Sequence, residues 1–453
     1  MARDYRPSLV SIADLVEDPG KISRWLYRAP ATAFIAFAVF AAFGTYFCTY
    51  AFRRPFAAGL YAGVTQVPLL GVVDTKIVLI VSQLAGYATS KLLGIKFVSE
   101  MPAARRAVAI GAAIGVAELA LLLFAVVPAS LRPLCLFLNG LPLGMVWGLV
   151  FGYLEGRRVS DVLGAAVSAS FILASGIVKA VGQVVIDWGV TENWMPFATG
   201  LLFVLPTAVF VWLLAQIPPP TGMDEAERLH RAPMNGAQRW EFFAGLAPGL
   251  VLLTFAYVLM TAYRDFRDNF AREIWDALGY ADVPSILTTS EIPVAIGALL
   301  AVGAVTVVRD NHRAVLVVHA LLVFGAGLIG TSTLLFELGL LDPAWWMILV
   351  GLGLYLGYVP YNCVLFDRLI PAVGVIGTAT FMIYVTHAFG YLGSVGLMLY
   401  RSVGHPDLSW LDFFVAFSWV TAAATIVVFV LSAIYFSSRA RRARLAVSLD
   451  GGL

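Results

Sequence analysis

Between Pro218 and Trp240 the chain reads PPPTGMDEAERLHRAPMNGAQRW. Three consecutive prolines, two glycines and charges of both signs mark a loop rather than a buried helix. Apolar runs lie on both sides of it: 31–52, 76–95, 107–128, 132–154, 162–186 and 195–217 before, and 242–263, 288–308, 314–338, 344–366, 374–400 and 412–436 after. Most approach the ~20 residues that a helix needs to cross the hydrocarbon of a bilayer. The stretch therefore reads as a linker between two groups of six spans.

Composition agrees. Of 453 residues 60% are hydrophobic and only 13% charged, with a mean hydropathy of +0.85. A soluble domain cannot hide that much apolar surface. Helix is the expected form of each span, because unpaired backbone groups cannot face lipid and no barrel-like alternation is present. The expected fold class is an all-α membrane protein of twelve transmembrane helices in two six-helix bundles. Its parts are an N-terminal segment (1–30), a first bundle (31–217), the linker (218–240), a second bundle (241–436) and a basic tail (437–453). Residues 1–30 are polar and mixed in charge, unlike a cleavable signal peptide.

Charge distribution sets the orientation. Lys96, Arg105, Arg106, Arg157, Arg158, Arg228, Arg231, Arg239, Arg309, Arg313 and Arg368 fall on the connections that share a side with both ends of the chain. The positive-inside rule places both termini in the cytoplasm, and the setting expected is a bacterial inner membrane. The tail SSRARRARLAV (Ser437–Val447) is explained by anionic lipid, with no nucleic-acid partner.

Cys48, Cys135 and Cys363 lie in apolar runs and read as buried small residues. There is no Walker loop, HExxH, zinc-ligand spacing or GxSxG elbow. The expectation is accordingly no enzyme, no metal and no cofactor, and a monomer in the lipid bilayer.

The two halves resemble each other. GLPLGMVWGLVFGYLEGR (Gly140–Arg157) lies over GLGLYLGYVPYNCVLFDR (Gly351–Arg368), an offset of 211 residues that also carries Arg53 onto Arg264 (AFRR, Ala51–Arg54, onto AYRD, Ala262–Asp265). ASF at 169–171 falls on ATF at 379–381 with an offset one residue shorter. The shared offset points to two homologous six-span halves, a parallel repeat similar to that of the major facilitator superfamily, and that resemblance implies a substrate site between the halves near mid-membrane.

Six plus six spans with a linker and a parallel repeat resemble the major facilitator superfamily over nearly the whole chain. Residue by residue, the chain is most similar to its organophosphate:phosphate antiporter branch. TYFCTYAFRRPFA (Thr45–Ala57) resembles that branch's aromatic first helix with its arginine, Arg264 the matching arginine of helix seven, and GYATSKLLG (Gly86–Gly94) its helix-two element. The loop VSEMPAARR (Val98–Arg106) departs from the superfamily's acidic-basic loop. YRDFRDNFAREIWDALGY (Tyr263–Tyr280) and YNCVLFDR (Tyr361–Arg368) also resemble an uncharacterised bacterial membrane-protein family.

Candidate site residues follow. Arg53 and Arg264, one from each half, form a cationic clamp if both face the interface, or snorkel to headgroups if both merely mark span ends. Arg54 is expected at headgroups or in a loop. Lys91 sits near the cytoplasmic end of its span, as a snorkelling lysine or a funnel residue. Lys179 is a charge-balancing or anion-binding candidate, and His387 a packing group or a proton carrier. Tyr46, Tyr50, Tyr263, Tyr358, Tyr361 and Asn362 are candidates to line a cavity or simply to pack, and Pro360 is expected to break its span. Asp265, Arg267, Asp268, Arg272 and Glu273 are expected to decorate an outward extension of span seven, partly pairing i to i+4. Glu291 is a candidate gate or proton site, and Glu155–Arg157 and Asp367–Arg368 are candidate latches.

The reading is a secondary active transporter for a small organic anion, a phosphate ester favoured, with phosphate as exchange partner. Its rivals are a proton-coupled carrier or exporter, a membrane enzyme acting on lipid phosphates, and a non-transporting sensor. Acidic residues inside the spans would favour the first rival, and interfacial acidic or histidine clusters the second.

Overall fold

The structure, a computed structural model, describes residues 20–68, 71–99, 101–154, 160–219, 236–375, 379–404 and 407–450. Among them are twelve long helices: α1 (Ala31–Thr49), α2 (Thr75–Ser99), α3 (Ala103–Val126), α4 (Arg132–Phe151), α5 (Ser160–Asp187), α6 (Met195–Ala215), α7 (Gly236–Asn269), α8 (Glu291–Thr306), α9 (Asn311–Glu337), α10 (Pro343–Cys363), α11 (Ala379–Leu399) and α12 (Trp410–Asp450). Ten of these segments are long and apolar enough to cross a membrane by themselves. The other two, α2 and α11, carry Lys76, Lys91 and His387 and face the other half. Residues 1–19, the Glu155–Arg157 latch and most of the linker lie outside the described residues.

The helices repeat the same neighbours in each half. In the first, α1 packs on α5 and α6, α4 on α2 and α3, and α3 on α6. In the second, α7 packs on α11 and α12, α10 on α8 and α9, and α9 on α12. The 211-residue offset holds in three dimensions: α4 and α10 begin at Arg132 and Pro343, and α3 and α9 end at Val126 and Glu337. Between halves, α2 meets α11 and α5 meets α8. Two close approaches, α4 on α2 and α5 on the short helix Ile286–Thr289 that precedes α8, leave no room for a side chain. A Cβ on Gly140 would stand 2.2 Å from the Gln83 carbonyl oxygen, and one on Gly176 2.1 Å from that of Leu287. Small residues are what let membrane helices come this close.

Twelve crossings put the start of α1 and the end of α12 on one face, here the terminal face; the other is the distal face. Three departures from expectation matter. First, α1 stops at Thr49, and 3-10 turns (Tyr50–Phe52 and Pro55–Ala58) carry the chain on, still buried. Non-helical backbone survives in a membrane interior only if its polar groups are satisfied. Here Asn139 Nδ2 donates to the Phe52 carbonyl (2.9 Å) and Gln83 Nε2 to that of Arg53 (3.1 Å), with Gln83 also bonded to Asn139 (2.8 Å). Second, a hairpin, β1 (Val64–Val67) and β2 (Gly71–Asp74), follows on the distal face instead of a plain loop. Third, α10 runs through Pro360 and breaks at Val364, before a short helix Leu365–Ala372. Arg368 of that helix donates to Asn311 Oδ1 (3.1 Å), a latch onto the start of α9.

Candidate functional site

A small cavity lies between the halves, with about 40 Å³ open to molecules the size of water. The first half lines it with Tyr46, Tyr50 and Arg53 from the end of α1, Tyr87 and Lys91 from α2, Trp147 from α4, and Ser168 and Phe171 from α5. The second contributes Arg264 from α7, Tyr358 and Asn362 from α10, and His387 and Tyr391 from α11.

The unwinding of α1 puts Arg53 there. With only 5% of its surface exposed, the Arg53 guanidinium lies 4.0 Å from the centre of the Tyr87 ring, and its Nε and Nη2 have no hydrogen-bond partner. Lys91, one turn along α2 from Tyr87, stands 5.3 Å from the same ring and 5.7 Å from that of Trp147, without a carboxylate partner among the described residues. Arg264 is different. Its Nη2 and Nε bond to Asp265 Oδ1 at 2.7 and 3.1 Å, and its Nη1 to the Tyr358 hydroxyl. The rest of the opposing wall is tightly hydrogen-bonded. Tyr257 donates to Tyr358 (2.9 Å) and stacks on His387, whose Nε2 is bonded to Asn362 Oδ1 (2.7 Å).

Toward the distal face, a buried charge network seals the cavity. Arg54 was expected at the surface; it is 2% exposed. It donates to Asn269 Oδ1 (2.9 Å) and pairs with Asp268 (3.3 Å) and Asp265 (3.6 Å). Lys179 bonds the Asp268 backbone carbonyl (3.0 Å) and pairs with its carboxylate (3.6 Å), which also accepts from Ser175 (3.1 Å). Lys76 pairs with Glu273 and donates to the Ala57 carbonyl (3.0 Å). Burial pushes the Glu273 carboxyl above the ordinary carboxylate range, even with Lys76 beside it. Asp265, Arg267, Asp268 and Glu273 thus correct the expectation of a decorated, solvated extension: burying charge is tolerated because each finds a partner. Arg267 pairs with Glu291 (2.8 Å) and donates to the Met347 carbonyl (3.1 Å), all inside the second half. Only Arg272 behaves as expected, pairing with Asp276 one turn on (2.7 Å).

Of the residues singled out in the sequence, the cavity brings together Arg53, Arg264, Lys91, His387, Tyr46, Tyr50, Tyr358 and Asn362. It leaves out Lys179, which belongs to the seal. It also leaves out Tyr263, bonded to Ser418 (2.7 Å) and stacked on Phe414, and Tyr361, bonded to the Leu253 carbonyl (3.1 Å). Tyr87, Trp147, Ser168, Phe171 and Tyr391 were not anticipated. Tyr87 and Tyr391 each lie four residues from a residue that was, Lys91 and His387, and so share its helix face. Glu118 was also missed. It is buried on α3 against Gly200 of α6, and neither carboxylate oxygen has a hydrogen-bond partner. No cluster of three metal-ligating side chains lies among the described residues.

Two repeated six-helix bundles around a central cavity define a multi-pass membrane protein with a major facilitator-like fold. Solved structures show the same architecture. A D-xylose–proton symporter superposes with a TM-score of 0.61 at 11% identity, covering 89% of this chain and 97% of its own. A POT family transporter in complex with a thioalcohol-conjugated peptide gives 0.56 at 12%, covering 88% and 96%. At such identities the likeness carries the fold alone, and it does not single out the organophosphate branch. The chain belongs to a family of unknown function (DUF5690), which matches residues 55–439. No curated protein matches it in sequence.

Proposed function

We propose that this protein is a secondary transporter that moves a small organic anion by alternating access. The observation that carries the reading is the charge balance of the cavity: Arg53 and Lys91 are buried, lie against one tyrosine ring and form no ion pair with a carboxylate among the described residues. Uncompensated cations in low dielectric are costly. A phosphoryl or carboxylate group between them would supply the missing charge and accept the bare Arg53 donors in the geometry that guanidinium favours. Among organic anions a phosphate ester is favoured, its charged head on Arg53 and its organic part against the aromatic side chains once the cavity widens. An empty cavity keeps its uncompensated charge, so reorientation is faster loaded than empty, which favours exchange, with phosphate as the counter-substrate. The positive-inside pattern supports an orientation with both termini cytoplasmic, in a membrane that we take to be a bacterial inner membrane.

Reconstituted vesicles loaded with inorganic phosphate test this. Uptake of labelled phosphate by wild type, lost in Arg53→Gln while the protein still folds, is the expected result. Uptake that survives Arg53→Gln unchanged refutes the reading.

A second reading, proton coupling on the same fold, is favoured by Glu118, a membrane-buried carboxyl with no partner. It requires uptake to follow an imposed pH gradient and to lose that dependence in Glu118→Gln.

A further inference from the structure

We propose that Asp265 sets the charge of the substrate: it removes Arg264 from the anion-binding set and leaves a site for a single anionic head on Arg53 and Lys91. The proposal rests on the anion-transport reading above and narrows its substrate class.

Three cationic side chains line the cavity, and an obvious arrangement would have the two repeat-related arginines grip one anion from both sides. The geometry argues otherwise. Two nitrogens of Arg264 converge on one oxygen of Asp265, and the third reaches the Tyr358 hydroxyl, so the guanidinium fork is occupied. Asp265 is held firmly in turn. Its Oδ2 accepts from Ser394 Oγ (2.7 Å), its Oδ1 lies 3.6 Å from Arg54, and none of its surface is exposed. A carboxylate tethered to the adjacent residue competes at high effective concentration. An incoming anion that displaced it would strand a buried charge, which is strongly unfavourable.

Arg53 has the opposite setting. Its Nε and Nη2 are bare, its carboxylate-free neighbour Lys91 shares the Tyr87 ring, and both belong to the first half. The facing wall offers the hydroxyl, amide and imidazole groups of Tyr358, Tyr391, Asn362 and His387. The cavity is therefore polarised, with anion binding on one half and hydroxyl and aromatic contacts on the other. The class that fits is an acid or monoester with one anionic head and a hydroxylated or aromatic body. Two-headed anions lack a second cationic anchor.

The test is equilibrium binding of inorganic phosphate and inorganic pyrophosphate to the purified full chain. It compares wild type, Asp265→Asn and the charge-balanced Arg264→Gln/Asp265→Asn. Wild type should favour phosphate. Asp265→Asn frees Arg264 and should shift the affinity ratio toward pyrophosphate at least tenfold, and the double variant should restore the wild-type ratio. A general loss of structure lowers both affinities and cannot produce this shift. If Asp265→Asn does not fold, Ser394→Ala loosens the same carboxylate without removing its charge and should move the ratio several-fold in the same direction. A ratio unmoved in the folded variants overturns the role of Asp265 and leaves the anion reading standing. Failure of wild type to bind either ligand removes the anion reading and this inference with it.

Discussion

Arg53 and Arg54 are adjacent in sequence yet do different work. The broken end of α1 makes this possible, since in the irregular turns after Thr49 the two side chains leave in different directions. Arg53 turns to the cavity and Arg54 to the carboxylates of α7. Replacing Arg53 by Lys keeps the charge and loses the planar fork. Because a hydrogen bond to a charged group is worth ~1.5–3 kcal/mol, anion affinity should fall about ten- to a hundredfold, measured by titration of the purified protein. Much of this was legible. The pairing of Arg53 with Arg264 follows from the repeat, and Lys91 and His387 stand out as charged or titratable residues within apolar runs. The neutral members were not legible, because one tyrosine among seventeen looks like packing until its neighbours are known. Glu118 stood out by the same rule of charge in an apolar run and was overlooked. Since its oxygens have no hydrogen-bond partner among the described residues, the nearly isosteric Glu118→Gln breaks no bond and leaves no cavity, and it should leave thermal stability within about 1 kcal/mol of wild type. A larger loss would mean that the carboxyl has a partner in the folded protein.

At the scale of elements, α7 matters most. The sequence Tyr263–Tyr280 reads as a charged helix extension, and periodicity cannot tell a face turned to water from one turned to opposite charges on another bundle. The structure resolves that choice: cations from the first half (Arg54, Lys76 and Lys179) meet carboxylates of the second (Asp265, Asp268 and Glu273). Removing one partner of a buried pair leaves an uncompensated charge, at a cost of about 3–5 kcal/mol. Arg54→Leu should therefore lower the melting temperature markedly, and Arg54→Leu/Asp268→Asn should recover part of the loss. Recovery absent in the double variant would show that Arg54 acts through packing and not charge. Close helix contacts are the other determinant. Gly140→Val would push its side chain into the Gln83 backbone and cost ~1–3 kcal/mol, readable as reduced thermal stability.

For the molecule as a whole, the offset of 211 residues explains why the halves meet as they do. Positions related by a two-fold repeat approach each other near its axis. The Arg53–Arg264 pair lines one cavity, and the next pair, Arg54 and Asp265, is in contact. Two arginines at that second position would repel, and the Arg-to-Asp difference between the repeats turns the contact into a seal. Sequence comparison located the correspondence, while its consequence needed the three-dimensional axis. If the seal opens during transport, cysteines replacing Lys76 and Glu273 and bridged through two disulfides by a short bis-methanethiosulfonate should arrest exchange, and reduction of those disulfides should restore it. Continued exchange while bridged would exclude distal opening. The most direct check of the central claim, an anion site built on Arg53 and Lys91, is titration of the purified protein with inorganic phosphate. The account predicts saturable binding that weakens at least tenfold in both Arg53→Gln and Lys91→Gln. Binding of equal strength in wild type and both variants would contradict it.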